Sequence, residues 1–114
     1  MTHADPVAAA RELAPRLAAR AAQYDRAGAF PEEDLADLRA AGLLGLMAPA
    51  RLGDHGAGFA DDAAVAMELA SGAGATALMF NMHASVTGAM AQTPDDIVRA
   101  MGVPEDSQAG VARW

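Results

Sequence analysis

The pattern of apolar and polar positions predicts an all-helical chain, whose first helix runs from about residue 5 to residue 27. Leu13, Leu17 and Tyr24 recur at helical spacing and mark the side that faces the core. Pro15 lies within this stretch. Because proline has no amide hydrogen and crowds the preceding turn, we expect it to kink or split the helix.

A second predicted helix, residues 31–42, is followed by an apolar connector and a glycine-rich loop. Its first turn carries carboxylates at residues 32–34, where the positive end of the helix dipole stabilises them. Gly42 is typical of a helix end, since glycine takes up the left-handed conformation without strain. The apolar residues 43–47 predict a buried connector, and the glycines within residues 53–58 predict a tight loop.

The rest of the pattern predicts a third helix at about residues 60–71, a fourth at 75–90 and a short, capped fifth at 93–102. Residues 103–114 are expected to form an irregular tail, and no stretch has the alternation of a strand. The predicted fold is therefore all-α, a compact bundle of about five helices with orthogonal or up-down packing. Glu68 lies in an apolar turn of the third helix, and we expect a surface or ion-paired carboxylate there rather than a catalytic one.

The fourth predicted helix carries the candidate binding residues. Met79, Met82, His83 and Val86 fall at helical spacing on one face, and Thr87 lies one turn beyond His83. Methionine is flexible and polarisable, so this face suits an irregular apolar ligand, although it suits a plain core equally well. His83 is either a hydrogen-bond donor to a ligand or a core histidine whose hydrogen bonds are satisfied. The five residues together are the predicted substrate contacts.

Charge excludes one class of function. The formal net charge is −7, every basic residue is arginine, and none occurs between Arg51 and Arg99. A protein that binds nucleic acid needs a basic stripe, so we expect no nucleic-acid partner. Arg11, Arg16 and Arg20 share one side of the first helix, and we expect a solvated face there rather than a binding patch.

Composition predicts a thin core. Hydrophobic residues make up 53% of the chain but aromatic residues only 4%, and alanine dominates. Alanine favours helix yet buries little area, so a partner surface is expected to help the 114-residue chain fold firmly. The chain has no cysteine, and its three histidines lack metal-ligand spacing, so neither a disulfide nor a metal site is expected.

The N-terminal residues show no signal peptide, which predicts a cytoplasmic protein. Residues 69–94 contain no Asp, Glu, Lys or Arg, as would be expected of a membrane span. However, Asn81, His83 and Ser85 lie in the middle of this stretch, and no basic cluster flanks it. We therefore predict a buried helix and no membrane span.

A series of short segments occurs in a particular order around and after the second helix. These segments are Phe30-Pro31, Leu35 to Leu38, Ala41-Gly42-Leu43, Pro49, Arg51 to Gly56, Val65 to Ala70 and Thr76 to Ala84. Their order resembles the N-terminal helical domain of the acyl-CoA dehydrogenase family, and the likeness covers about residues 7–90. Two departures are Asp54, where the family usually has glycine, and Gly74, where an acidic residue is common.

The resemblance implies a helical domain at residues 1–92, followed by a short capped helix and tail at 93–114 that lead to a missing β domain. In the family, the middle β domain and a C-terminal helical bundle carry most contacts to FAD and generally the base that removes the α-proton. The resemblance therefore implies that this chain alone neither holds FAD tightly nor turns over substrate. The fourth helix is expected to form part of the wall of the acyl pocket.

Three functions follow as alternatives. The first is α,β-dehydrogenation of an acyl-CoA by a complete FAD enzyme, which is expected to be a homo-oligomer. The second is a related flavin-dependent monooxygenase, in which a histidine on this helix can face the reacting centre, so that His83 gains importance. The third is a non-enzymatic helical module that binds a partner through its methionine-rich face.

Overall fold

Four α-helices and one 3-10 turn make up the described part of the chain, which comprises residues 5–48, 56–92, 97, 100 and 102 of a computed structural model. The elements are α1 (Pro6–Ala27), α2 (Glu32–Ala40), the 3-10 turn (Leu43–Gly45), α3 (Phe59–Gly72) and α4 (Gly74–Gln92). Among these residues no strand occurs, so the all-α prediction is confirmed with four helices. The predicted fifth helix lies mostly outside the described residues and stays a prediction.

Helix α1 begins and ends where its sequence predicts. The Asp5 carboxylate accepts a hydrogen bond from the backbone N–H of Val7 at 3.0 Å, and Gly28 ends the helix with φ 60°. Of the kink or split predicted at Pro15, the split is wrong, because α1 continues through it, and the kink stays a prediction. Pro15 is exposed, and packing of the opposite side holds the helix together across the missing hydrogen bond. The buried residues of α1 are Ala10, Leu13, Ala14 and Leu17.

Helix α2 starts one residue later than its sequence suggests. Pro31 takes the N-cap position rather than the first helical position, and Glu32 begins the helix. Gly42 has φ 76°, which confirms the predicted left-handed glycine after α2. The chain can therefore turn sharply at this point into the 3-10 turn.

The connector at residues 43–48 is fully buried, as predicted. Its backbone is tied to the segment before α3: Ala57 N–H donates to the carbonyl of Leu46 at 2.9 Å, and Gly56 N–H donates to the carbonyl of Ala48 at 2.8 Å. These bonds satisfy buried carbonyl groups that no regular helix or sheet would otherwise pair. These hydrogen bonds thus hold the connector in place beneath α4.

Helices α1 and α3 cross closely because each has a small residue at the point of contact. A Cβ atom added to Gly72 would lie 2.2 Å from the carbonyl oxygen of Ala14. Val65 and Leu69 of α3 are fully buried, and Phe80 of α4 is the largest buried side chain. Small residues therefore let the backbones approach, which compensates in part for the low aromatic content.

Glu68 of α3 forms an ion pair with Arg11 of α1 at 3.0 Å. Of the two alternatives predicted for Glu68, a surface carboxylate or an ion-paired one, this contact supports the ion pair. In the part of the chain that the structure describes, no helix is both long and apolar enough to cross a membrane.

Asp62 has an unusual environment for a carboxylate. It lies in the first turn of α3 and is buried, and among the described residues its Oδ1 atom has no hydrogen-bond partner. Burial disfavours the charged form and raises the pKa of Asp62 above its ordinary value of 3.8. The folded chain therefore binds this proton more tightly than the unfolded chain does.

This shift predicts a pH dependence with a definite sign. The stability that protonated Asp62 contributes is full below pH 3.8 and is lost as pH rises through the folded-state pKa. We expect Asp62→Asn to become progressively more stable relative to wild type between acidic and neutral pH. Urea unfolding at a series of pH values measures the difference, and a difference that does not change with pH would contradict the prediction.

Candidate functional site

A cluster of charged residues fixes the positions of α1, α2 and α4. The guanidinium of Arg20 on α1 forms ion pairs with Glu33, Asp34 and Asp37 of α2, with Nε lying 2.9 Å from Oδ1 of Asp34. The hydrogen bond with Asp37 is the main reason that the pKa of Arg20 is raised. Nη1 of Arg16 also lies 3.9 Å from Oδ1 of Asp37.

The prediction of a solvated arginine face was therefore wrong for Arg20, whose side chain is only 22% exposed. It holds better for Arg11 and Arg16, whose side chains are each 68% exposed. Proximity to α2, which the sequence pattern does not reveal, turns Arg20 into an interhelical contact. It therefore cannot serve as a free cation for a ligand.

Asp34 extends this cluster to α4. Its side chain is fully buried, and its Oδ2 atom accepts a hydrogen bond of 2.6 Å from the hydroxyl of Thr76. One carboxylate thus joins α1 through Arg20, α2 through its own backbone and α4 through Thr76. The first turn of α4, and with it the helix that carries the candidate residues, is held by this link.

A small apolar cavity of about 150 Å³ lies between α2, the connector and α4. Its wall consists of six apolar side chains and one imidazole. The lining residues are Phe30, Leu35, Leu38, Leu44, Met79, Phe80 and His83. An apolar cavity with a single polar group is typical of a small-molecule site in which one contact fixes orientation.

His83 is anchored to the connector. Its Nε2 atom lies 2.7 Å from the carbonyl oxygen of Leu44, in the 3-10 turn. The backbone of α4 at the same residue is bound as well, since the hydroxyl of Thr87 donates to the carbonyl of His83 at 3.0 Å. The bond to Leu44 therefore holds the imidazole at the cavity wall, whereas the Thr87 hydroxyl bonds only to the backbone of α4.

The structure separates the five predicted substrate contacts into three groups. Met79 and His83 line the cavity together. Met82 and Val86 are 64% and 58% exposed and lie on the outer side of α4. Thr87 is fully buried and uses its hydroxyl within α4. A substrate role for all five remains a prediction, but only Met79 and His83 share one cavity.

The sequence did not predict the cavity residues that lie opposite α4. Phe30 lies just before α2, Leu35 lies within α2 and Leu44 within the connector, and all three are distant from α4 in sequence. Leu35 carried a signal, since it lies on the apolar side of a short amphipathic helix. Nothing in the sequence signals the contact of Leu44 with His83, because a backbone carbonyl makes it. Among the described residues, no group of His, Asp and Glu could hold a metal ion.

Comparison with known proteins gives the family. The model of the acyl-CoA dehydrogenase N-terminal domain matches residues 3–102 of the chain. The chain belongs to the acyl-CoA dehydrogenase family as an N-terminal domain. The predicted resemblance is thus confirmed.

Curated relatives of this domain carry a more specific name. Dibenzothiophene monooxygenase from Rhodococcus erythropolis is 40% identical over 79 residues, which are 69% of this chain and 19% of the relative. Dibenzothiophene monooxygenase from Mycolicibacterium goodii is 36% identical over 83 residues, 73% of this chain and 20% of the relative. The chain therefore spans about a fifth of the length of these relatives. No solved structure matches the chain significantly.

Proposed function

We propose that this chain is the N-terminal domain of a flavin-dependent monooxygenase of the acyl-CoA dehydrogenase family. The cavity between α2 and α4 forms part of its substrate pocket. The cavity, with its apolar wall and one anchored imidazole, is the observation that carries this proposal. Relatives named as monooxygenases favour oxygenation over dehydrogenation, although the sequence alone ranks dehydrogenation first.

The residues of the cavity suit a neutral, apolar substrate. Leu38 and Phe80 are buried and keep water from the wall, and the rings of Phe30 and Phe80 offer flat surfaces to an aromatic ring. Helix α4 contains no Lys or Arg, so its side of the pocket offers no cation to the phosphates of a CoA ester. His83 supplies the single polar contact that orients the substrate.

A flavin, when bound, would supply the two electrons that reduce one atom of O₂ to water while the other atom enters the substrate. The phosphates of such a cofactor require cations or free N–H donors, yet Arg11 and Arg20 are engaged with carboxylates of neighbouring helices. We therefore assign the phosphate contacts to residues beyond this domain, as the resemblance implies for FAD.

Turnover by the native gene product, loaded with flavin, tests this function. We expect reduced flavin and isotopically labelled O₂ to place one labelled oxygen atom in a neutral aromatic compound such as dibenzothiophene, with the other atom in water. Product mass spectrometry detects the label. Oxidation of acyl-CoA with an electron acceptor, in place of label incorporation, would contradict the proposal.

A site variant links the activity to this cavity. Because His83→Phe keeps an aromatic ring at this position but removes both nitrogen atoms, we expect kcat/KM to fall by at least about tenfold, as the loss of a buried hydrogen bond predicts. Glu68→Gln serves as the control, since Glu68 pairs with Arg11 and is not among the cavity residues. If His83→Phe and Glu68→Gln were equally active, the reaction would not take place at this cavity.

The dehydrogenase reaction remains the second candidate, and the family description favours it. Met79 lines the cavity and could adapt to a flexible acyl chain. In that case the partner would be an acyl-CoA, and the complete enzyme is again proposed to be a homo-oligomer. The labelled-oxygen assay distinguishes the two candidates directly.

A further inference from the structure

Two polar contacts join α4 to the elements opposite it, and they lie about two helical turns apart. Near the start of α4, the hydroxyl of Thr76 donates to Oδ2 of Asp34 on α2 at 2.6 Å. Further along α4, Nε2 of His83 lies 2.7 Å from the carbonyl oxygen of Leu44 in the connector. A separation of two turns places both contacts on the same face of α4, roughly 10 Å apart along its axis.

The apolar cavity begins beside the first of these contacts. On α4 its lining begins at Met79, within one turn of Thr76, and on α2 its lining includes Leu35, directly after Asp34. Neither Thr76 nor Asp34 is among the described residues that line this cavity. Their hydrogen bond therefore lies at the end of the cavity that is remote from His83.

A second cavity, of about 380 Å³, adjoins the same hydrogen bond. Asp34 and Thr76 both line it, together with Ala73 and Gly74 at the start of α4. Along both α2 and α4 the order is therefore the second cavity, the hydrogen bond and then the apolar cavity. The bond thus forms part of the partition between the two spaces.

This partition resists opening. Asp34 is fully buried and Thr76 is nearly so, and a hydrogen bond to a carboxylate in such surroundings is stronger than one between neutral groups. Nε of Arg20 lies 2.9 Å from the other carboxylate oxygen of Asp34. The carboxylate therefore cannot turn away from Thr76 without also losing that ion pair.

We propose that Asp34 and Thr76 are positioning residues that set the depth of the apolar cavity, and so the size of the ring system that it accepts. The cavity measures about 150 Å³, and an engineered apolar cavity of about that volume binds benzene. A second fused ring reaches deeper only when the hydrogen bond opens. In the complete enzyme this selection by size rests on the proposed function, since it requires the cavity to belong to the substrate pocket.

Binding of benzene and of naphthalene to the 114-residue chain tests the proposal. Thr76→Val keeps the shape of the side chain but removes the hydroxyl, so that opening the partition no longer breaks a hydrogen bond. We expect the affinity for naphthalene to rise relative to that for benzene by about tenfold, as one hydrogen bond to a charged group predicts. Thr76→Ser keeps the hydroxyl and should keep the wild-type ratio. Titrations followed by NMR measure both affinities.

Val65→Ala is the control for a general loss of stability. Val65 is fully buried on α3 and is not among the residues that line the cavity, so its truncation weakens the core but leaves the hydrogen bond in place. An unchanged ratio in Thr76→Val, an equal change in Val65→Ala, or a wild-type chain that binds neither probe would overturn the proposal. If Thr76→Val does not fold, Thr76→Ala replaces it, because alanine favours helix and leaves room for a water molecule at Asp34.

The methyl resonance of Met79 gives a second readout that needs no ligand. Met79 shares the cavity with the rings of Phe30 and Phe80, whose ring currents make its chemical shift sensitive to the spacing of α2 and α4. We expect this resonance to move in Thr76→Val and to return in Thr76→Ser. Met82 is 64% exposed on the outer side of α4, and its resonance should stay in place. A Met79 resonance that does not respond to Thr76→Val would contradict the proposal.

These measurements use no flavin and no turnover, so they fail separately from the proposed function. Oxygenation by the native gene product, together with an unchanged ratio in Thr76→Val, would overturn only the positioning role. A changed ratio without oxygenation would support the positioning role and overturn only the monooxygenase assignment.

Discussion

Replacing Arg20 with methionine should destabilise the chain by about 3 kcal/mol, the lower end of the range for a buried ion pair that loses one partner. Asp34 is fully buried and would keep its hydrogen bond to Thr76 but lose the guanidinium that neutralises its charge. Methionine retains most of the apolar length of arginine, so the lost charge dominates the effect. Urea unfolding followed by circular dichroism measures the free energy of unfolding.

Arg11→Met is the matched control for this variant. It removes an ion pair of similar length, to Glu68, but the side chain of Arg11 is 68% exposed. Exposed pairs contribute less than about 1 kcal/mol, so this variant should remain near wild type. A second test adds Asp34→Asn to Arg20→Met, which should recover part of the lost stability because the unpaired charge disappears. Equal effects of Arg20→Met and Arg11→Met would show that burial of Asp34 is not decisive.

Local features of the fold could be predicted from the sequence. Asp5 caps α1, which begins at the next residue, and Gly42 follows closely after the end of α2. Both interactions involve residues only a few positions apart, so the sequence contains both partners side by side. The apolar connector was equally visible, because a continuous apolar run has few alternatives to burial.

Contacts between distant elements could not be predicted in the same way. Asp34 lies in the first turn of α2, where the helix dipole stabilises a carboxylate even on the surface. Its presence in the sequence therefore gave no reason to expect that it is buried. Its partners Arg20 and Thr76 are separated from it by 14 and 42 positions. The tertiary role appears only when α1, α2 and α4 are packed together.

The methionine-rich face shows a different limit of sequence patterns. Helix α4 is apolar on nearly all sides, so its periodicity does not distinguish the core side from the outer side. In the structure the small residues Ala77 and Ala84 are buried, while Leu78 and Met82 face outward. Close packing against neighbouring helices favours small side chains at these two positions, yet the large side chain of Phe80 is buried on the same helix. Neither size nor hydrophobicity alone therefore marks the buried side of α4.

Close packing also leads to the second large effect, at the crossing of α1 and α3. Gly72→Ala should destabilise the chain by about 2 kcal/mol, within the range for overpacking. The new Cβ atom would lie 2.2 Å from the carbonyl oxygen of Ala14, and backbone atoms cannot yield without separating the two helices. This cost exceeds the gain of about 1 kcal/mol that alanine normally brings to a helix. The same urea unfolding experiment measures the change.

Gly88→Ala distinguishes backbone crowding from crowding in general. The Cβ atom added there would lie 2.4 Å from Cε of Met47, the far end of a flexible side chain. Because methionine has several rotatable bonds, it can move aside at small cost, and the helix propensity of alanine offsets that cost. We expect Gly88→Ala to stay within about 1 kcal/mol of wild type. If Gly72→Ala were as stable as Gly88→Ala, the two helices could separate freely, and close backbone contact between α1 and α3 would not hold the domain together.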